Sequence, residues 1–272
     1  MGWISPNFIT ILVVLGVSAT VCFFDLIQSD LAVFTFVLAG WVASVCLHEF
    51  GHAVAAWYGG DRSVAHKGYL NLDPVQYVDP VNSILLPVVV LALGGIGLPG
   101  AAVYIETRFI RSAWWLSFTA AAGPLMNLAL LVVLALPFML GLDLWGGGTR
   151  FWAALAMLAF LQATSVMFNL LPVPGFDGYG IIEPFLPDSI VQRIHPWRFV
   201  APAIVLVALL AIPDFGRAII DKAGAMTMTA GVPPFRIYEG FGRFRFWKRL
   251  GALDGSVSFA LDRAASDRTP SI

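Results

Sequence analysis

Two histidines and a glutamate lie in the sequence at a spacing that suits a metal ion. His48, Glu49 and His52 form the stretch HEFGH. On a helix, side chains four residues apart lie on one face, so the two imidazoles can bind the same ion. Glu49 lies beside them, where its carboxylate can take a proton from a metal-bound water. This spacing is the HExxH pattern of hydrolytic zinc sites and predicts zinc-activated hydrolysis.

A third protein ligand is expected, because catalytic zinc sites usually have three and keep one position open for water. His66, in a polar connector, and His195, before a proline, are weak candidates. Asp177 is favoured, because it follows an apolar segment that Pro172 and Pro174 must interrupt. Interrupted helices at membrane depth line cavities or are buried in protein. An Asp-Gly turn at the membrane surface is the alternative.

The composition places these residues in a membrane. Hydrophobic residues make up 58% of the 272 residues and charged residues only 12%, whereas soluble domains average roughly 45–50% and about 25%. These figures exclude an ordinary soluble enzyme, a disordered chain and a nucleic-acid-binding protein. An ionisable side chain such as Glu49 is unfavourable inside an apolar segment. A functional role is therefore favoured over two core histidines with an incidental glutamate.

Five apolar segments are long enough, or nearly so, to cross a hydrocarbon core about 30 Å thick. They are residues 7–27, 31–58, 113–140, 151–172 and 198–212. Segment 82–104 is also apolar, but glycines and a proline interrupt it at 94–100. If this segment crossed, His52 and Asp177 would lie on opposite faces of the membrane. We therefore expect it to re-enter, with residues 101–105 as an extended return strand to which an unwound peptide could add.

The predicted fold is an all-α polytopic membrane protein with about five to six transmembrane helices. A re-entrant β-hairpin or loop is expected between the HExxH helix and the middle core helix. We divide the chain into an N-terminal helix (1–30), a core (31–185) that includes the re-entrant segment 60–110, a C-terminal transmembrane segment (186–212) and a basic-aromatic, partly disordered tail (213–272).

The basic and aromatic side chains after residue 233 suit either an anionic membrane surface or a solvated tail. Basic segments favour the cytoplasmic side. The tail lies there if 198–212 re-enters, or if residues 215–232 cross once more, and the sequence leaves both alternatives open.

Three motifs occur in order on the apolar segments. They are His48–His52, AGPLMN at 122–127, and the stretch from Asn169 to Gly178, which reads N-x-x-P-x-P-x-x-D-G. With these motifs, the chain resembles the site-2 protease family of intramembrane zinc metalloproteases over residues 31 to about 185. It looks like a minimal member without PDZ or CBS domains.

The resemblance implies Zn²⁺ held by His48, His52 and Asp177, with Glu49 as the base that activates a zinc-bound water. It implies hydrolysis of peptide bonds within or next to transmembrane segments of membrane proteins. A catalytically silent metal-binding scaffold or a transporter on the same fold is the alternative. A di-iron hydroxylase is excluded, because four histidines cannot supply its histidine boxes.

The resemblance also implies that Asn127 and Asn169 lie near the site, where they position substrate or stabilise a developing oxyanion. Hydrogen bonding between helices is the alternative for both. The expected partners are a lipid bilayer and a transmembrane substrate, either a membrane-tethered regulator or a signal-peptide remnant, with no nucleic acid and an open oligomeric state. Residues 59–112 contain four basic side chains and residues 141–150 only one. The positive-inside rule therefore predicts that the active site faces the cytoplasm, and we expect the protein to lie in the plasma membrane.

Overall fold

The computed structural model of the chain describes residues 4–77 and 103–245. Within these ranges the chain is built from helices and short 3-10 turns, and no strand is formed. Most of segment 82–104, predicted to re-enter, lies outside the described residues. The predicted strand at 101–105 is described only from residue 103 onwards. There the chain is irregular up to a 3-10 turn at Thr107–Phe109.

The helices within these ranges follow one another along the chain in a fixed order. They are α1 (Pro6–Phe23), α2 (Asp30–Gly59), α3 (Ser63–His66), α4 (Pro74–Tyr77), α5 (Ala113–Met139), α6 (Thr149–Asn169), α7 (Asp177–Ile182), α8 (Asp188–Ile194), α9 (Ala201–Ala211), α10 (Pro213–Thr229) and α11 (Pro234–Phe244).

Four of these helices, α1, α2, α5 and α6, are long and apolar enough to cross a membrane. Serine caps begin three of them: Ser5, Ser29 and Ser112 each accept a backbone N–H of the first turn, as helix N-termini require. The prediction of an all-α polytopic membrane protein is confirmed. A fifth crossing exists only if α9 and α10 are counted as one span bent by 92°.

The predicted span at 198–212 differs most from the structure. Its helical part, α9, has 11 residues, which is about 16 Å and too short to cross alone. Pro213 is the first residue of α10. Because a proline disfavours helical backbone in the residue before it, α9 ends at Ala211. The chain then continues in α10, which contributes 17 residues.

Helix α6 forms the centre of the bundle. Every residue from Trp152 to Val166 is buried, and α6 contacts α1, α2, α5, α10 and α11. Its many alanines allow these neighbours to approach closely, which favours helix packing in membranes. On α11, for example, Gly240 lies against the backbone of Ala153 and the side chain of Met157. The buried helix α6 is therefore the scaffold on which the other helices are placed.

The bundle has two ends, which we name by the ends of α2. At the Gly59 end, the Gly59 carbonyl accepts the Arg111 N–H at 3.0 Å, just before α5 begins. At the Asp30 end, the Asp30 carboxylate faces Arg150, in the first turn of α6, at 3.8 Å. Helix α1 starts at the Gly59 end, where the Ser5 hydroxyl donates to the Leu72 carbonyl.

Candidate metal centre

His48 and His52 on α2 meet Asp177, which lies at the start of α7 after a proline-rich break in the chain. Both histidines lie on α2 and are 7% exposed. After α6 ends at Asn169, the chain turns through the proline-rich segment, and Asp177 begins α7. A side chain at Gly178 would overlap the backbone at Leu170. Glycine at 178 therefore allows α7 to pack tightly against the end of α6, which places Asp177 opposite the histidines.

The three side chains present nitrogen and oxygen atoms at distances that suit one metal ion. The two histidine Nε2 atoms are 3.1 Å apart. Asp177 Oδ2 lies 3.3 Å from His48 Nε2, and Asp177 Oδ1 lies 3.3 Å from His52 Nε2. Ligands about 2.0–2.1 Å from a tetrahedral zinc are separated from one another by about 3.3–3.4 Å. Each histidine nitrogen thus lies at about this separation from the other nitrogen and from one oxygen of the Asp177 carboxylate, and one ligand atom from each residue lies within 4.8 Å of the other two.

The hydrogen bonds on the other side of each imidazole fix which nitrogen is available. His48 Nδ1 lies 2.6 Å from Asn127 Oδ1, and His52 Nδ1 lies 2.7 Å from the Thr119 carbonyl. Both partners are acceptors, so each Nδ1 carries the proton. In neutral imidazoles of this tautomer, both Nε2 atoms present lone pairs to the same space, 3.1 Å apart. Two lone pairs at this distance repel, and a cation between them removes the repulsion.

Two further observations fit an ion at this position. Asp177 Oδ2 is buried and has no hydrogen-bond partner among the described residues. A Cβ on Gly123 of α5 would overlap His52 Nε2 and lie 2.6 Å from His48 Nε2. Glycine at 123 thus leaves a space directly in front of the two ligand nitrogens. The donor set of two imidazoles and a carboxylate is one that zinc accepts.

The electrostatics of Asp177 agree with its place between the imidazoles. Burial acts to raise the pKa of this carboxyl. Burial is the largest single effect, but the interactions with His52 and His48 together outweigh it and hold the pKa of Asp177 below its ordinary value. The carboxylate is therefore the favoured form, which is the form that binds a metal.

Glu49 lies beside the three residues without joining them. It is 5% exposed, and its Oε1 is 4.0 Å from His48 Nε2. Its Oε2 accepts the Val103 N–H at 3.1 Å. This backbone bond orients the carboxylate next to the ligand nitrogens. A carboxylate at this distance suits a base for a water at the ion better than a fourth ligand.

The two asparagines occupy different surroundings. Asn127 on α5 is 3% exposed; it accepts from His48 and donates through Nδ2 to Gln162 Oε1 at 2.8 Å. Asn169 is the last residue of α6 and is partly buried. Its side chain makes no hydrogen bond within the described part of the chain. The structure therefore joins Asn127 to a histidine and leaves Asn169 outside this hydrogen-bonded group.

Sequence reasoning missed two contributors to the site, Gln162 and the Thr119 carbonyl. Gln162 had a signal, because it is a polar residue in the long apolar stretch of α6 and such residues usually bond to another helix. Thr119 had none, since any residue supplies a backbone carbonyl.

Comparisons with known proteins agree with this site. The chain is 39% identical over 253 residues to a Mycolicibacterium smegmatis protein named "Putative zinc metalloprotease Rip2", covering 89% of this chain and 94% of that protein. It is 48% identical over 179 residues to the Mycobacterium tuberculosis protein of the same name, covering 66% of this chain and 68% of that one. A Bacillus subtilis protein named "Putative zinc metalloprotease YwhC" is 30% identical over 165 residues, covering 56% of this chain and 70% of that protein.

No family model matches the chain, and no solved structure matches it. The relatives nevertheless cover most of its length, and the M. smegmatis protein is matched over nearly all of its own length. These similarities confirm the resemblance that the three motifs indicated. The chain belongs to the site-2 protease family of zinc metalloproteases.

Proposed function

We propose that this metalloprotease cleaves peptide bonds within or next to transmembrane segments of membrane proteins, with Glu49 as the base. The supporting observation is the depth of the site in the bundle. His52 lies seven residues before the end of α2 at Gly59, which is about 10 Å along the helix axis. Gly123 lies ten residues after the start of α5 at Ala113, or about 15 Å. Both helices are long and apolar enough to cross a membrane, which supports a site at membrane depth.

In the proposed reaction, the side chains have separate tasks. His48, His52 and Asp177 hold zinc, which when bound lowers the pKa of a water and polarises the substrate carbonyl. Glu49 takes a proton from the attacking water and passes it to the leaving amine nitrogen. The Val103 N–H keeps the carboxylate in place for this transfer, since it bonds the Oε2 atom and leaves Oε1 facing the ligands.

A helical substrate must unwind before water can attack it, because all its backbone groups are paired within the membrane. We propose that it docks in extended form beside residues 101–105, whose described part runs next to Glu49. Small or helix-breaking residues in the substrate lower the free energy of unwinding. The substrates in this proposal are membrane-tethered regulators or signal-peptide remnants.

We place the protein in the plasma membrane with the Gly59 end towards the cytoplasm. Basic side chains cluster at this end and lie over aromatic rings: Arg62 over Trp57 at 3.9 Å, and Arg111 over Trp115 at 5.2 Å. At the Asp30 end, Arg150 is paired with Asp25 at 2.9 Å. The basic residues of segment 59–112 thus support an orientation with the Gly59 end towards the cytoplasm.

The change Glu49→Gln tests the mechanism. We expect it to lower cleavage by at least about 100-fold, because general-base catalysis contributes roughly 10²–10⁴. Bound zinc should stay near one per chain, because Glu49 is not one of the three proposed ligands. The probe is a synthetic transmembrane peptide with a central Gly-Pro pair and a fluorophore and quencher at its ends, in detergent-solubilised protein.

The matched control is Glu183→Gln, in the 3-10 turn Glu183–Phe185, which should cleave the peptide like the wild type. Unchanged cleavage by Glu49→Gln would show that another group is the base. Zinc-loaded wild type that cleaves neither this peptide nor labelled casein, an unfolded polypeptide, would favour the catalytically silent scaffold.

A further inference from the structure

A chain of three buried polar side chains connects the centre of the bundle to the metal centre. It begins at Gln162 on α6, which is 1% exposed. Gln162 Oε1 accepts from Asn127 Nδ2 on α5 at 2.8 Å, and Asn127 Oδ1 lies 2.6 Å from His48 Nδ1 on α2. Three spanning helices thus contribute one member each. His48 is a proposed zinc ligand. Gln162 makes no hydrogen bond to a proposed ligand or to Glu49 within the described residues.

The donor-to-acceptor direction of these hydrogen bonds decides whether His48 can bind a metal. For Nε2 to offer a lone pair, Nδ1 must carry the proton and needs an acceptor. Asn127 is an acceptor only when its oxygen faces His48, which turns its NH₂ group towards Gln162. If the amide were reversed, its NH₂ would face Nδ1. The imidazole proton would then lie on Nε2, where it blocks the metal.

The shape of an asparagine amide cannot fix this direction, because its oxygen and nitrogen ends have nearly the same size. Gln162 fixes it by placing an acceptor against Nδ2. His52 needs no such partner, since its Nδ1 faces the backbone carbonyl of Thr119, which cannot exchange an acceptor for a donor. The two histidines therefore differ: one is oriented by the backbone, and the other by an amide that itself needs orienting.

Gln162 carries an unfavourable feature that a purely structural residue would not need. Its own Nε2 is buried and has no hydrogen-bond partner among the described residues. An unpaired buried donor is destabilising, and an apolar residue would avoid it in this alanine-rich helix. The acceptor Oε1 is the part of the side chain that is used.

We propose that Gln162 is a positioning residue for zinc: it locks the Asn127 amide so that His48 presents Nε2 to the metal. The proposal rests on the zinc site of the proposed function and adds a residue outside its three ligands and its base. Removal of the Gln162 acceptor weakens zinc binding, although the zinc ligands and Asn127 are unchanged.

The test compares two substitutions at the same position in the full chain. Gln162→Met keeps the size of the side chain and removes the acceptor, and we expect it to weaken zinc binding about 10-fold, the lower part of the range for partners of metal ligands. Gln162→Glu should bind zinc within about two-fold of the wild type. A buried, protonated carboxyl has the shape of the amide and keeps a carbonyl oxygen towards Asn127.

The matched control is Thr164→Val, two residues further along α6. It removes the buried hydrogen bond from the Thr164 hydroxyl to the Phe160 carbonyl and should leave zinc affinity unchanged. Affinity is measured by competition with a chromogenic chelator. The visible absorption of Co²⁺ bound in place of zinc provides a second readout, because it reports the coordination of the ion and should change only in Gln162→Met.

Each outcome decides the proposal. Weaker zinc binding in Gln162→Met alone, with recovery in Gln162→Glu, supports it. Wild-type affinity and an unchanged Co²⁺ spectrum in Gln162→Met overturn it, as does an equal loss in Thr164→Val, which would indicate general loosening of α6. If the wild type itself bound no zinc, the zinc site of the proposed function would be wrong as well. If the wild type binds zinc and Gln162→Met binds it equally well, only the role of Gln162 is wrong.

Discussion

The metal centre depends at residue scale on a missing side chain as much as on those present. Gly123 faces the two histidine Nε2 atoms across a gap too small for a methyl group. It lies on α5 between Thr119, whose carbonyl orients His52, and Asn127, which orients His48. One stretch of two helical turns thus supplies both orienting acceptors and the space for the ion.

We predict that Gly123→Ala abolishes or strongly reduces zinc binding while the protein still folds. The added Cβ would lie where the ion and the ligand nitrogens meet, and alanine is itself a good helix former. The zinc content of purified protein, measured by elemental analysis, checks this. The control is Gly16→Ala on α1, where an added Cβ has no atom within 4 Å and zinc content should match the wild type. Full zinc occupancy in Gly123→Ala would place the ion elsewhere.

Part of the metal centre could be predicted from the sequence at the level of single residues. The spacing of His48 and His52 on one helix predicts that they share an ion, and the structure brings them together with Asp177. The distance from His52 to Asp177 along the chain is long, so their proximity rested on the motifs and on the argument about membrane depth. The orienting partners could not be derived in this way, because they depend on how α5 and α6 are rotated about their axes.

At the scale of elements, a buried aspartate ties the end of α2 to the segment that holds Glu49. Asp61 is fully buried. Its Oδ1 accepts the N–H and hydroxyl of Ser63, and its Oδ2 accepts the Glu106 N–H at 2.8 Å. Three residues before Glu106, Val103 donates to Glu49. Asp61 therefore anchors the short segment on which the position of the proposed base depends.

We expect Asp61→Ala to lower the free energy of unfolding by about 2–4 kcal/mol, because it leaves three partly buried donors of Ser63 and Glu106 without their acceptor. Cleavage should also fall, since residues 103–106 lose their anchor. Thermal unfolding in detergent and peptide cleavage are the measurements. Asp73→Ala is the control: this carboxylate also accepts hydrogen bonds, from Asn7 and Val75, but at exposed positions. Equal effects of the two changes would contradict the anchoring role.

The limits of sequence-based prediction are clearest in the C-terminal elements. Hydropathy identified the four spans α1, α2, α5 and α6, because each is a long apolar helix. It did not favour α10 as a crossing, since this helix carries polar residues such as Asp221 and Lys222, both exposed. Only the packing of its opposite face, with Ile219 and Ala223 buried, shows that α10 belongs to the bundle.

At the scale of the whole molecule, α10 and α11 return the chain to the Asp30 end. α9 begins beside Gly175, near the metal centre, and the turn after α10 brings Gly231 against Met139 at the end of α5. From there α11 lies across α6, with the Phe241 ring 5.2 Å from that of Phe160.

Ion pairs fix α11 at this end of the bundle. Arg243 contacts Asp30 at 3.0 Å and Glu239 at 2.9 Å. Arg236, at the other end of α11, lies 3.9 Å from Asp143 in the connection between α5 and α6. These arginines are therefore partly neutralised. The positive-inside rule counts basic residues rather than net charge, so these arginines still weigh against the orientation that the basic residues of segment 59–112 favour.

The arrangement of the ends predicts which residues share one side of the membrane. Single cysteines can report this, because the native Cys22 and Cys46 are buried. Arg108→Cys samples the Gly59 end, where the Arg108 side chain is 73% exposed. Trp145→Cys samples the Asp30 end, where Trp145 is 86% exposed. Gly242→Cys samples α11 at an open position.

We expect a membrane-impermeant maleimide added to intact cells to label Trp145→Cys and Gly242→Cys but not Arg108→Cys, since the Gly59 end is proposed to face the cytoplasm. All three should be labelled once the cells are made permeable, which controls for accessibility. If Gly242→Cys followed Arg108→Cys, α10 would not return to the Asp30 end, because both ion-paired ends of α11 must lie on the side where α2 begins. If all three results were inverted, the bundle would be inserted in the opposite direction with its internal arrangement unchanged. The proposed site would then open away from the cytoplasm.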